Sequence, residues 1–357
     1  MGLLRLLLAA AVVFAHTPVH NLLTGGRLAV ESFFMISGFY VALVLDRTYR
    51  QPRDFYINRY LRLVPVYLVV AGASLLSWTL YGVKPFPESA LPASDWGSSA
   101  LGFLLMTNAT MFFQDMTMFM CAGGEGLSWV ADFRSCSPPL YGALLVPQAW
   151  SLGIEISFYA LAPWLLRMRT RWVVALALAS VAVKVVLYFQ GFKRDPWDYR
   201  FFPSELFLFL LGSLAYRWRD SKQWLSRDAI PGLKVWGLLA FGLAFSRLPF
   251  ASGFYFVFLA ALFFSLPALL AFSNRHAWDR KLGELSYPLY MVHVLAIAWL
   301  EVVIPGDRSW GFAWLAVGVS LVASAALYRF VDVPMERVRS ARRRNAAPVT
   351  TEVPSAA

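Results

Sequence analysis

Ten apolar runs constrain what this chain can become. They fall at about 3–19, 28–45, 63–82, 149–166, 172–190, 201–216, 233–245, 253–272, 282–304 and 311–331. Inside hydrocarbon, each backbone amide and carbonyl must find its partner within the chain, so runs of this length fold as helices. Hydrophobic residues make up 59% of the 357 positions and charged ones only 15%, against about 25% charged in a water-soluble domain. The expected fold class is therefore an all-α polytopic membrane protein with about ten transmembrane helices. A net charge of +11 could suit nucleic acid. The basic residues gather in particular connections between apolar runs, however, and no nucleic-acid partner is expected.

Those connections orient the chain. With the N-terminus cytoplasmic, segments 1–5, 46–62, 167–171, 217–234, 273–281 and 329–344 face inward and hold 23 of the 32 Lys and Arg. The outward connections hold eight. This asymmetry puts both termini inside. Arg5 ahead of an apolar core resembles a signal peptide, but His16, Thr17, Pro18 and His20 stand where small cleavage-site residues belong, and a retained helix is expected. Residues 98–113 are short for a span, and inserting them would turn the basic RMRTR of 167–171 outward. They are expected to form a re-entrant or interfacial helix within a long external segment, 83–148. Cys121 and Cys136 lie in that segment, where an oxidising side allows a disulfide and two thiols are the alternative. The membrane domain is expected over 1–335, followed at 336–357 by a basic and then disordered cytoplasmic tail.

Few polar groups interrupt the apolar runs. Arg5 and His16 are eleven residues apart in the first run. At about 100° and 1.5 Å per residue they share a face to within about 20° and stand roughly 16 Å apart along the axis. His16 falls about three-quarters of the way along that run. Ionisable groups at membrane depth are costly and mark function by default. A neutral imidazole can take a proton from an attacking hydroxyl or carry an acyl group itself; a hydrogen bond between helices is the plain alternative. Arg59 and Arg62, at the cytoplasmic start of the third run, project to one side. Guanidinium forks suit phosphate oxygens, although basic residues at an inner membrane edge also serve topology and lipid headgroups.

The carboxylates within or beside the runs are Glu31, Glu155, Glu205 and Glu301. Glu155 is the first candidate to orient His16 or hold an acceptor, and Glu31 the second, its alternative an interfacial carboxylate. Ser37, beside Gly38, reads as helix packing. Tyr290 and His293 share a face and form a candidate second polar wall, while Trp150 and Trp164 could simply be interfacial aromatics. No phosphate loop, Cys/His metal spacing or Gly-x-Ser-x-Gly elbow occurs, so no metal is expected.

Several strings occur in family order: GRLAVESFFMISGFYVALVL at 26–45, YINRYLRLVPVY at 56–67, WSLGIEISFYALAPWLL at 150–166 and LGELSYPLYMVHVL at 282–295. With Arg5 and His16, they resemble the acyltransferase-3 family of integral membrane O-acyltransferases, from Arg5 to about Pro334. The resemblance implies transfer of an acyl group, most often acetyl, from cytoplasmic acyl-CoA to a hydroxyl of a polysaccharide, lipopolysaccharide or other glycan. The acceptor would stand at the outer face of a bacterial cytoplasmic membrane. Acetyl-CoA is then the expected donor, with a glycan or lipid-linked sugar and membrane lipids as partners. His16 would act as base or acyl carrier, supported by Glu155 or Glu31. Arg5, Arg59 and Arg62 would hold the donor, with Trp150, Tyr290 and His293 toward the acceptor. Two other readings stand beside this one. The first is a transporter or flippase with a polar intramembrane path, which lacks the expected inverted repeat. The second is the same chemistry with succinyl or longer acyl donors.

Overall fold

The computed structural model describes residues 1–19, 22–49, 51–86, 89, 96–137, 139–221, 231–245 and 251–346. Its first three helices are α1 (Gly2–Ala15), α2 (Gly26–Arg47) and α3 (Pro52–Tyr81). A short helix, α4 (Ser98–Thr110), precedes a hairpin of β1 (Met120–Gly123) and β2 (Gly126–Trp129). Then come α5 (Trp150–Leu165), α6 (Thr170–Phe189), α7 (Phe202–Ser221), α8 (Pro231–Ala244) and α9 (Ala251–Arg275). The chain continues through α10 (Ala277–Val303), α11 (Trp310–Leu327) and α12 (Val333–Ala346). Each of the ten apolar runs is helical. Among the described residues, six helices are long and apolar enough to cross a membrane, and α1 and α8 are apolar but shorter. The protein is a helical integral membrane protein.

Several boundaries differ from the sequence reading, each for a local reason. α1 ends at Ala15, two residues before the turn that holds Pro18, so His16 caps the helix and does not sit within it. α3 begins at Pro52, a residue suited to the first helical position. Arg59 and Arg62 therefore lie about two turns inside the helix and not at its start. α4 has 13 residues, too few to span. The hairpin is the departure from an all-α chain: Met120 pairs with Trp129 and Gly123 with Gly126. Gly126 turns there with φ +111, a left-handed backbone that favours glycine. Cys121 is bonded to Cys136, with Cα atoms 5.6 Å apart, which ties β1 to the following loop. The basic C-terminal stretch continues as α12 through Ala346. His20 and the tail beyond Ala346 lie outside the described residues.

Two close crossings hold the helices in place. A Cβ at Gly38 of α2 would lie 1.9 Å from the Phe209 carbonyl of α7, and one at Gly212 would lie 1.9 Å from the Met35 carbonyl. Small residues at such crossings let backbones meet where lipid offers no hydrophobic drive. α1 packs likewise on α10 through Gly2 and Gly283. Asp279 of α10 accepts the Gly2 and Leu3 amides, each at 2.8 Å, which satisfies two otherwise orphaned donors at the α1 N-terminus. Asp279→Ala should therefore destabilise the fold by roughly 1–2 kcal/mol, read as a lower melting temperature in detergent. An unchanged melting temperature would mean that this cap contributes nothing.

Asp115 introduces a pH dependence in the segment between α4 and β1. Its carboxyl is buried, neither oxygen has a hydrogen-bond partner, and Gly153 of α5 packs so tightly that a Cβ there would lie 2.4 Å from Oδ1. Burial pushes its pKa from 3.8 up to about 7. The folded state then holds a proton that the unfolded chain releases, so stability falls as pH rises from about 4 to about 7 and levels off above. Asp115→Asn should flatten that slope and raise stability at pH 8 by up to roughly 4 kcal/mol. Melting temperatures from pH 5 to 8 check this; parallel curves for the two proteins would contradict it.

Candidate active site

A cavity of about 350 Å³ opens among α1, α2, α3, α5 and α10. Arg5, Arg59 and Arg62 all line it, facing Glu155 and Glu284. Among the described residues, none of the three guanidinium groups takes part in an ion pair. Arg59 lies over the rings of Phe55 and Tyr159 at 5.6 and 5.5 Å, and its Nε is buried without a hydrogen-bond partner. Three cations beside two carboxylates, with no direct ion pair to any of the three, leave guanidinium donors available to a polyanion.

Glu155 stands on the same cavity, held differently from the expected pairing with His16. Ser37 Oγ donates to its Oε1 at 2.5 Å, and the Tyr159 hydroxyl, one turn along α5, donates to the same oxygen. Ser37 thus links α2 to α5 and lines the cavity; the packing role read for it is only part of what it does. Tyr40, Tyr159, Glu284 and Tyr287 also line the cavity and were not picked out from the sequence. Tyr159 had a signal, its spacing of four from Glu155. Glu284 sits within the LGELSYPLYMVHVL string, whose candidates from sequence are Tyr290 and His293.

His16 is not among the residues that line this cavity. Its Nδ1 donates to the Val12 carbonyl at 2.9 Å, and an acceptor-only carbonyl there makes Nε2 the basic nitrogen of the neutral ring. The ring packs edge-on against His293 with centroids 4.9 Å apart and stacks on Phe86 at 6.0 Å. His293 is fully buried. Its Nδ1 donates to the Tyr290 carbonyl at 2.7 Å, while Nε2 has no partner. Tyr290 belongs to both regions. It lines the cavity, its hydroxyl meets Ser151 at 2.7 Å and donates to the Gln148 carbonyl at 3.0 Å, and its backbone holds His293.

The other candidates are placed elsewhere. Glu31 is fully buried, held by Arg27 at 3.2 Å and by the Tyr255 hydroxyl, and is not among the residues that line the cavity. Arg27 continues to Asp198 at 2.8 Å. Glu205 pairs with Lys184 at 2.6 Å, and Glu301 is exposed. Trp150 is buried, with its ring against Tyr199 at 4.9 Å and the Arg200 guanidinium 4.1 Å above it, while Trp164 is exposed.

The cavity thus holds three arginines outside any direct ion pair, and Tyr290 on its wall also holds one member of a histidine pair. The Acyl_transf_3 profile, described as an acyltransferase domain, matches residues 1–329. The chain belongs to this family of acyltransferase domains. It is similar to the peptidoglycan O-acetyltransferase OatA of Listeria monocytogenes, 25% identical over 205 residues, covering 53% of this chain and 29% of that protein. A Bacillus subtilis protein provisionally named peptidoglycan O-acetyltransferase YrhL is 27% identical over 357 aligned positions, covering 88% of this chain and 51% of its own length. An uncharacterised Aquifex aeolicus protein is 25% identical over 222 residues, 59% of this chain and 95% of that protein. The chain thus spans about half or less of the two named O-acetyltransferases. No solved structure matches it.

Proposed function

We propose that this protein moves an acetyl group from cytoplasmic acetyl-CoA to a hydroxyl of a cell-surface glycan, across a bacterial cytoplasmic membrane. The observation that carries this reading is the convergence of Arg5, Arg59 and Arg62 on one cavity with no ion-pair partner. The named relatives support acetyl as the group and a glycan as the acceptor class. In this reading about ten helices span the bilayer, both termini are cytoplasmic, residues 1–335 form the catalytic domain and 83–148 faces outward. The donor's phosphates meet the arginines, and its pantetheine arm extends toward Tyr290.

The chemistry needs one base. The acceptor hydroxyl oxygen attacks the thioester carbonyl carbon, and His16 Nε2 takes its proton as the C–O bond forms. The C–S bond then breaks, and the proton passes from His16 to the departing thiolate. Ser151 and Tyr290, 2.7 Å apart, line the donor cavity, and the Tyr290 carbonyl holds His293 against His16, so the acyl group reaches His16 by passing Tyr290. Glu155, held by Ser37 and Tyr159, shapes the donor cavity and does not serve as the partner of His16.

Purified protein in lipid, given radiolabelled acetyl-CoA and a glycan extract, should transfer label to the glycan. Glycan flux across the membrane with no acetyl-CoA consumed would overturn the reading in favour of a transporter.

A further inference from the structure

We propose that Gln148, Arg200 and His293 form the acceptor-sugar site, a ring of polar atoms around Trp150 and Tyr290 whose unmet hydrogen bonds a sugar's hydroxyls complete. This rests on the glycan reading above.

Three buried polar atoms beside Trp150 and Tyr290 lack a partner: Gln148 Oε1, Arg200 Nη1 and His293 Nε2. Such atoms are rare in folded proteins because each costs free energy when left unmet. Their hydrogen-bond roles are determined. The Gln148 amide nitrogen donates to the Met291 carbonyl at 2.5 Å, so its oxygen points away and can only accept. His293 donates from Nδ1, so its Nε2 accepts. Arg200 Nη1 can only donate.

A chain of contacts through Trp150 and Tyr290 links the three groups. Arg200 lies 4.1 Å above the Trp150 ring, fixed by its Nε donating to Asp195 at 2.6 Å. Trp150 begins α5 two residues after Gln148, whose carbonyl accepts the Tyr290 hydroxyl. Tyr290 carries His293 and lies within electrostatic reach of Arg200. Two acceptors and one donor beside aromatic rings suit a sugar, in which every hydroxyl both donates and accepts and whose carbon face packs on an aromatic ring. A phosphate, which is acceptor-only when fully ionised, would satisfy Arg200 alone. The site also lies one ring contact from His16, where an acceptor hydroxyl is needed. The three atoms are covered in this structure, so a sugar enters by local opening, and association is slow.

The test is equilibrium dialysis of radiolabelled chitotetraose and maltotetraose against the full chain in lipid, with no acyl donor present. Wild type should bind at least one of them saturably. Gln148→Leu, Arg200→Gln and Arg200→Lys should each weaken that binding at least tenfold. Arg200→Lys keeps the charge beside Asp195 and loses the guanidinium fork; a melting temperature equal to wild type, measured beside the dialysis, separates lost binding from a folding failure. Failure of wild type to bind either sugar, or unchanged affinity in Gln148→Leu and Arg200→Lys, would overturn the proposal, since trapped water would then account for the unmet atoms. Acetyl-CoA turnover is measured separately. Its absence beside intact sugar binding removes the transferase reading while leaving this site in place.

Discussion

His16→Ala should lower kcat for acetyl transfer by at least about 10³-fold, the scale expected when a positioned general base is removed. The geometry behind this expectation is specific. The Val12 carbonyl accepts a hydrogen bond from Nδ1–H, which leaves Nε2 as the basic nitrogen, and the imidazole of His293 meets the ring edge-on. The substitution removes a side chain beyond the end of α1, so the helix itself should survive. Acetyl-CoA binding should persist, because Arg5, Arg59 and Arg62 line a cavity that His16 does not. Steady-state kinetics beside a binding isotherm checks both halves. Retained turnover would remove His16 from the chemistry, and lost binding would mean that the two regions are one site.

Arg59→Ala combined with Arg62→Ala should raise the KM for acetyl-CoA about 10²- to 10⁴-fold, from two charge-assisted contacts of about 1.5–3 kcal/mol each. Acetyl-pantetheine, which lacks the nucleotide phosphates, should be used almost equally by the variant and wild type. That difference separates phosphate recognition from general damage, since a distorted cavity would impair both donors alike. Arg59 is the sharper of the two sites, because its Nε is buried without a partner and its guanidinium is steered by the Phe55 and Tyr159 rings. An equal loss with both donors would contradict the assignment.

The helices were legible because each apolar run carries its own requirement to satisfy its backbone. The arginines were legible for a related reason, since a guanidinium in an apolar run has few bland explanations. The boundaries were harder. Hydropathy carries His16 into the first run, whereas the backbone ends the helix at Ala15 ahead of Pro18. The pairing of Glu155 was not legible, because its partner Ser37 is 118 residues away and a serine in an apolar helix has many uses. Gln148 and Arg200 were invisible for the same reason. Each is an ordinary loop residue until the fold brings it near Tyr290. The hairpin between Cys121 and Trp129 rests on glycines and a disulfide, which leave little hydrophobic alternation to read.

The central claim is that donor and acceptor are used on opposite faces of one protein. Proteoliposomes of mixed orientation, with radiolabelled acetyl-CoA outside and a glycan acceptor sealed inside, test it most directly. Label appearing on the enclosed glycan, while acetyl-CoA itself stays outside, is the predicted result. Label appearing only on glycan that shares a compartment with acetyl-CoA would contradict the account.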